Sequence, residues 1–155
     1  MPPILLAIFL IAGSNSIPAR TAEYCALVEA VLDDESAFHD GDCRAEKADG
    51  PVMVEAWLSK DDHRIRPLLE ADTVCNKKYL VVDGPRRARN KNEVVSVIVI
   101  EFSRTAKDRY NYDASQENYT PQGGIGSSGC GALASGNITR KGKQWIRHCD
   151  GCPPR

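Results

Sequence analysis

The stretch EVVSVIVIEF, residues 93–102, is almost continuously apolar and rich in β-branched side chains. Such residues favour strands, and a strand that exposes one face to water would alternate apolar with polar positions instead. This stretch does not alternate, so both of its faces are expected to be covered. We therefore predict that it is a central strand of a sheet.

The residues upstream of this stretch predict further strands. A second strand is predicted over Lys78–Asp83, and the polar residues Gly84–Asn92 between the two are predicted to form a hairpin loop. Pro51–Leu58 fits either a helix that begins near its proline or a strand, and its β-branched and aromatic content narrowly favours the strand. Ile65–Ala71 predicts a short helix, interrupted near Pro67.

One amphipathic helix is predicted near the start of the chain, over Thr21–Leu32. Thr21 is a suitable N-cap, and Glu23 lies in the first turn. Apolar residues recur there at spacings of three and four, which forms one stripe on a helix. The stripe consists of Tyr24, Leu27, Val28, Val31 and Leu32.

The end of the chain predicts a hairpin. Gly131–Thr139 leads to a turn at Arg140–Lys143, and Gln144–Cys149 returns. The segment GKQWIRH, residues 142–148, resembles the last strands of nuclear-transport-factor-2-like or cystatin-like folds, which implies a curved roll. The expected fold class is α+β, with the N-terminal helix packed on a curved, mostly antiparallel sheet.

The first residues have the pattern of a secretory signal peptide. An apolar run, Ile4–Ala12, is followed by the small and polar residues Gly13–Ala19. The run is too short to span a membrane, which takes about 20 apolar residues. We predict a signal peptide over residues 1–19, cleaved after Ser16 or Ala19, and a single domain over residues 20–155. The protein is then secreted, to the periplasm or the extracellular space, without a transmembrane segment.

Six cysteines follow the predicted signal peptide, an even number that predicts three disulfides in an exported protein. They are Cys25, Cys43, Cys75, Cys130, Cys149 and Cys152. The sequence does not fix the pairing. If the hairpin turn centres near Lys141, however, Cys130 lies about opposite Cys152, within reach of a bridge.

Two short motifs have the spacing of cofactor or metal sites. In CDGC, residues 149–152, a redox dithiol would need a following helix, which Pro153 prevents. Zinc would need four ligands, and the two cysteines and His148 could combine with Cys130, His39 or His63, but there is no second CxxC and an oxidising compartment favours disulfides. Structural disulfides are therefore the favoured interpretation. GIGSSG, residues 124–129, lacks the preceding strand and following helix of a dinucleotide site. We predict no metal and no cofactor.

Two segments are predicted to bind a partner. Residues 103–129 show no regular period and suggest a long loop, whose tyrosines would offer contact area. The basic residues of the 84–92 loop would suit an anionic group. The candidate binding residues are Tyr110, Tyr112, Tyr119, Arg86, Arg87 and Arg89. The net charge of −1 argues against nucleic acid as a partner.

The sequence leaves two function classes open. The favoured one is a small, exported, non-catalytic protein that binds a protein or an anionic ligand. The alternative is an extracytoplasmic hydrolase that uses Glu101 or Glu55, because carboxylates among apolar residues are suited to proton transfer. The partner's identity and the oligomeric state do not follow from the sequence.

Overall fold

The computed structural model describes residues 19–33, 50–126 and 132–149. Its elements, in chain order, are α1 (Ala19–Leu32), β1 (Val52–Lys60), β2 (His63–Pro67), β3 (Val74–Cys75), β4 (Tyr79–Val81), α2 (Gly84–Lys91), β5 (Val95–Ala106), β6 (Arg109–Tyr119), β7 (Ile125–Gly126), β8 (Ala132–Lys141) and β9 (Gln144–Cys149). The strands form one open sheet in the order β3-β4-β1-β5-β6-β8-β9, with β2 paired to β1 and β7 to β6.

The predicted central strand, β5, lies in the middle of this order and pairs with β1 on one side and β6 on the other. Its residues Val97, Val99 and Ile100 are almost completely buried. Most strand pairs are antiparallel, but β1 runs parallel to both β4 and β5. The predicted α+β class, with one N-terminal helix and a mostly antiparallel sheet, is confirmed.

The helix α1 covers one face of the sheet. It buries the stripe predicted from the sequence, except that Tyr24 is only half-buried and Cys25 is buried instead. The stripe packs against side chains of the central strands, including Ile100 and Phe102. This face is therefore the main hydrophobic core.

The second helix, α2, covers part of the opposite face. Ala88 packs there with Val82, Val97 and Val99. The prediction of a hairpin loop at Gly84–Asn92 is wrong, because β4 and β5 both run parallel to β1, and strands that point the same way need a crossover connection.

The helix α2 begins and ends with ordinary capping signals. The Asp83 side chain accepts a hydrogen bond from the Arg86 amide at 2.9 Å, and Pro85 lies in the first turn. Asn92 ends the helix in the left-handed conformation, with φ of 52°. These signals were present in the sequence but were assigned to a turn.

Two other predictions also fail. The expected helix at Ile65–Ala71 is not formed, because a tight turn at Asp61 and Asp62 sends β2 back along β1. The segment 103–129 is not one loop, since β5 extends to Ala106 and β6 fills residues 109–119. The strand prediction for Pro51–Leu58 is confirmed by β1.

The C-terminal hairpin is formed, with Lys141 paired to Gln144 and Gly136 paired to Cys149. Its turn centres on Gly142 and Lys143 and not near Lys141, so the register assumed for placing Cys130 opposite Cys152 is wrong. One disulfide, between Cys25 and Cys75, ties α1 to β3. The side chains of the other four cysteines lie outside the described residues. So do residues 150–152 of the CDGC motif, residues 127–129 of GIGSSG and residues 1–18 of the predicted signal peptide. Within the described residues, no helix has the length and apolar character needed to span a membrane.

Candidate functional site

A cavity of about 450 Å³ opens on the α2 face of the sheet. Its walls come from β1, β2, the segment after β2, the start of α2 and the end of β6. Apolar side chains dominate the lining, including Trp57, Leu69, Val82, Pro85 and Ile125. The charged lining residues are Glu55, Arg64, Glu70 and Asp83.

Glu55 is the buried carboxylate of this cavity, with 4% of the residue exposed. Its Oε1 accepts a hydrogen bond from the Gly84 amide at 2.7 Å. Its Oε2 accepts from Trp57 Nε1 at 3.0 Å and from the Tyr119 hydroxyl at 3.1 Å. The three donors come from β1, α2 and β6, so Glu55 ties together three elements that are distant in sequence.

The start of α2 has room only for glycine. A Cβ atom at Gly84 would overlap Cδ2 and Cε2 of the Tyr119 ring and would lie 2.9 Å from Glu55 Oε1. Because the helix approaches so closely, its first amide reaches the carboxylate. The absence of a side chain at Gly84 is thus a condition for the hydrogen bonds of Glu55 and Tyr119.

Tyr119 connects Glu55 to a second carboxylate. Its hydroxyl lies 3.1 Å from Glu55 Oε2 and 2.8 Å from Glu117 Oε2. A phenol has one hydrogen, so the two carboxylates compete for the same donor. Burial raises the pKa of Tyr119 above its ordinary value, and the charges of Glu55 and Glu117 raise it further.

Arg64 lies between the carboxylates and Trp57. Its Nη2 donates to Glu117 Oε1 at 2.5 Å and its Nε to Glu101 Oε1 at 2.9 Å, while its guanidinium carbon is 5.8 Å from the centre of the Trp57 ring. Burial alone would lower the pKa of Arg64, but Glu117 and Glu101 outweigh this effect and raise it. Arg64 is therefore a permanent cation at the rim of the cavity.

Carboxylates outnumber cations in this region. Asp113 is paired with Glu101 in the sheet register, and the pKa of Asp113 is raised by partial burial and by the charge of Glu101. Four carboxylates, those of Glu55, Glu101, Asp113 and Glu117, are grouped near one guanidinium, that of Arg64. The arrangement has a net negative charge unless it takes up protons or a cationic ligand.

The three tyrosines predicted to bind a partner have buried side chains. Tyr110, Tyr112 and Tyr119 are 8%, 3% and 5% exposed. Tyr110 packs edge-on against Phe102 and Trp145, with ring centres 6.2 Å and 5.7 Å apart. The structure thus places these rings in the core, and of the three only Tyr119 lines the cavity.

The predicted basic residues lie on α2 and outside the cavity lining. Arg86 and Arg89 are exposed and Arg87 is half-buried. Arg86 forms a long ion pair with Asp72, with Nη2 and Oδ2 separated by 3.8 Å. Their proposed contact with an anion remains a prediction.

The two carboxylates predicted from the sequence both neighbour Trp57, whose Nε1 donates to Glu55 and whose partner in the sheet register is Glu101. The sequence reasoning missed Arg64, Gly84 and Glu117. The sequence does contain a signal for this cluster. In Glu55-Ala56-Trp57 and in Glu117-Asn118-Tyr119, a carboxylate and an aromatic residue are two positions apart, and residues two apart on a strand share a face of the sheet. In the part of the chain that the structure describes, no group of three or more acidic, histidine or cysteine side chains is placed to hold a metal.

Protein-family models, curated proteins and solved structures give no match to this chain.

Proposed function

We propose that the chain is a small, exported, disulfide-stabilised binding protein, and that its ligand is a small molecule with an apolar body and a cationic head. The observation that carries this proposal is Glu55, a buried carboxylate held by three donors at an apolar cavity. Cavities of some 300–1,000 Å³ with apolar walls and a few fixed polar groups are typical of ligand sites. The Cys25–Cys75 disulfide and the apolar run at residues 4–12 support export.

The charge of the cavity supports a cationic ligand. Three lining residues, Glu55, Glu70 and Asp83, are acidic. Arg64, the one basic lining residue in the described part of the chain, is already engaged by Glu101 and Glu117, neither of which lines the cavity. A carboxylate has about four acceptor positions, of which Glu55 uses three. One position remains for a donor of the ligand.

Three probes that share a naphthyl group and differ in their polar head test this proposal. Naphthylmethylamine, naphthylmethanol and naphthylacetic acid are titrated against a Trp145→Phe background, in which Trp57 is the only tryptophan. We expect the amine to change Trp57 fluorescence at the lowest concentration and the acid to have no effect. Equal binding of the acid, or no binding of any probe, would contradict the proposal.

A charge variant and a matched control locate the site. Glu70→Gln with Asp83→Asn removes two charges from the lining while asparagine keeps the cap of α2. This variant should weaken amine binding by about tenfold. Asp61→Asn with Glu93→Gln removes the same charge elsewhere and should leave the affinity unchanged.

The Tyr119 hydroxyl supports a second candidate, the hydrolase. Two carboxylates that compete for one proton resemble the acid and base pairs of hydrolytic enzymes. A panel of nitrophenyl glycosides and esters tests this function. Turnover that Glu117→Gln abolishes, without loss of the fold, would favour the enzyme over the binding protein.

We also propose that the sheet is a nuclear-transport-factor-2-like or cystatin-like roll. What supports this is the N-terminal helix packed on one face of a mostly antiparallel sheet. The parallel pairing of β1 with two neighbours is the feature to compare first. Superposition of an experimental structure on both folds tests the proposal.

A further inference from the structure

A second depression lies on the same face of the sheet, at the opposite end from α2. It is open, has a volume of about 670 Å³ and is bounded by β5, β6, β8 and β9. We call it the polar face and define it by Arg109, Asn111, Asn137, Thr139, Lys141 and His148. It shares no lining residue with the cavity beside Glu55.

The sheet register builds the polar face as two rows. Asn111 is paired with Asn137, which is paired with His148, so three side chains from three strands form one row. Arg109 is paired with Thr139 in the next row. Residues directly opposite each other have Cβ atoms about 4.5–5.5 Å apart, close enough for neighbouring side chains to contact one ligand.

The cations of the polar face are available to a ligand. The described carboxylates form no ion pair with Arg109 or Lys141. On α2, by comparison, Arg86 is paired with Asp72. Arg109 and Lys141 can therefore contact a ligand without first losing an ion pair to a described carboxylate.

The hydrogen-bonding groups of the polar face suit hydroxyl groups. Each Asn amide and the Thr139 hydroxyl can both donate and accept, as sugar hydroxyls do. Thr139 Oγ1 lies 3.3 Å from His148 Nε2, so these two side chains already share one hydrogen bond. A free phosphate would use the donors alone and leave the amide oxygens without a role.

Among the residues that the structure describes, the lining of the polar face contains no aromatic side chain on which a neutral sugar ring could stack. Binding would therefore depend on negative groups of the ligand, held by Arg109 and Lys141. We propose that the polar face binds a segment of a sulfated polysaccharide, with sulfate esters at the two cations and ring hydroxyls at Asn111, Asn137 and Thr139. The open shape of the depression suits an extended chain.

The test is a titration of the full exported chain with a heparin-derived tetrasaccharide, followed by calorimetry at several salt concentrations. Arg109→Gln with Lys141→Gln should weaken binding by about tenfold and reduce its salt dependence. Lys60→Gln with Arg66→Gln removes the same net charge from exposed positions outside the polar face. This control should change the affinity by less than about twofold.

Two further measurements separate a sugar site from a general anion site. The desulfated tetrasaccharide should not bind, and Asn111→Ala with Asn137→Ala should weaken binding of the sulfated form. An equal loss in the control variant would overturn the proposal, as would retention of binding without Arg109 and Lys141. Binding of phosphatidylserine vesicles through the same two cations, without dependence on the asparagines, would also overturn it, because the occupant would then be a lipid surface.

Discussion

At the scale of single residues, the site depends on a close approach between a helix and a ring. Gly84 lets α2 come near enough for its amide to reach Glu55, and Tyr119 packs against that glycine while its hydroxyl reaches the same carboxylate. Removing a donor from a buried carboxylate lowers the free energy of unfolding by more than the hydrogen bond contributes, because the desolvation of the carboxylate is no longer offset. Small changes at these positions should therefore affect stability strongly.

Gly84→Ala is the most direct test of this packing. The added methyl group overlaps the Tyr119 ring, so the ring or the helix must move. We expect a loss of about 1–3 kcal/mol in the free energy of unfolding, measured by urea denaturation. Gly50→Ala is the control, since a Cβ there has no atom within 4 Å and should change stability little. Equal effects at both positions would mean that the close approach does not exist.

The raised pKa of Tyr119 makes stability depend on alkaline pH. The folded protein keeps the phenolic proton above about pH 10, where the unfolded chain loses it, so stability should fall as pH rises. Tyr119→Phe should be less stable than the natural protein by about 1–2 kcal/mol near pH 8, because the two carboxylates lose their shared hydroxyl donor. The difference should shrink toward about pH 11.

Tyr79 also has a raised pKa, because of burial and its hydrogen bond to Asp33. Tyr79 adds the same pH dependence to the natural protein and to Tyr119→Phe, so the difference in stability between them reports on Tyr119 alone. Urea unfolding from about pH 8 to about pH 11 measures the difference. A difference that grows with pH would contradict the assigned hydrogen bonds.

How much of the site could be predicted differs between its residues. Glu55 and Glu101 could be found, because each is a carboxylate in an apolar stretch. Arg64 could not, since its partners Glu101 and Glu117 lie 37 and 53 residues away. Gly84 looked like a turn residue, because nothing local shows that a ring from β6 packs against it.

At the scale of elements, β6 shows why one strand was mistaken for a loop. Its buried residues Tyr110, Tyr112 and Ala114 alternate with exposed polar ones, which is the period of a half-buried strand. The richness in Asn, Ser and Gln outweighed this alternation in the sequence interpretation. The tyrosines that suggested a contact surface are core residues of this strand.

Tyr112→Ala tests that assignment. The ring is 3% exposed, so its removal should cost about 3–5 kcal/mol, similar to other large aromatic truncations in cores. Asn111→Ala, at the next and exposed position of β6, should change stability by less than about 0.5 kcal/mol. Thermal unfolding of both variants measures the difference in stability. A Tyr112→Ala variant as stable as the natural protein would contradict the core assignment and favour an exposed tyrosine surface.

The disulfide links two elements that are far apart in sequence. Cys25 of α1 and Cys75 of β3 are separated by 50 residues, and the bridge restricts the unfolded chain. The double variant Cys25→Ala with Cys75→Ala should lose about 2–4 kcal/mol of stability in urea unfolding, without loss of the sheet signal in circular dichroism. A non-reducing peptide map of the natural protein gives the control, and other partners for these cysteines would contradict the link.

At the scale of the whole molecule, the two faces of the sheet have different roles. The side of the sheet covered by α1 is a filled core. On the side covered by α2, the acidic cavity lies at one end of the sheet and the depression named the polar face lies at the other. The fold class and the central strand followed from the sequence. The crossover through α2 did not, because the direction of a strand is not encoded in its hydrophobic pattern.

Export can be tested on the intact protein. The first described helix begins at Ala19, so cleavage after Ser16 would leave α1 complete, whereas cleavage after Ala19 would remove only its first residue. We expect the intact mass of the exported protein to match a chain that begins between residues 17 and 20. Secreted protein that retains Met1 would contradict the signal peptide.

The position of β1 has a consequence for the order of assembly. Strands β5, β6, β8 and β9 are antiparallel neighbours in the order in which they occur along the chain, so they can pair locally. β1 must instead insert between β4 and β5, and its contact with β5, as between Ser59 and Ser103, spans 44 residues. Non-local pairing of this kind is slow. Until β1 docks, the backbone N–H and C=O groups on one edge of the valine-rich β5 are unpaired. Nascent chains would aggregate through that edge.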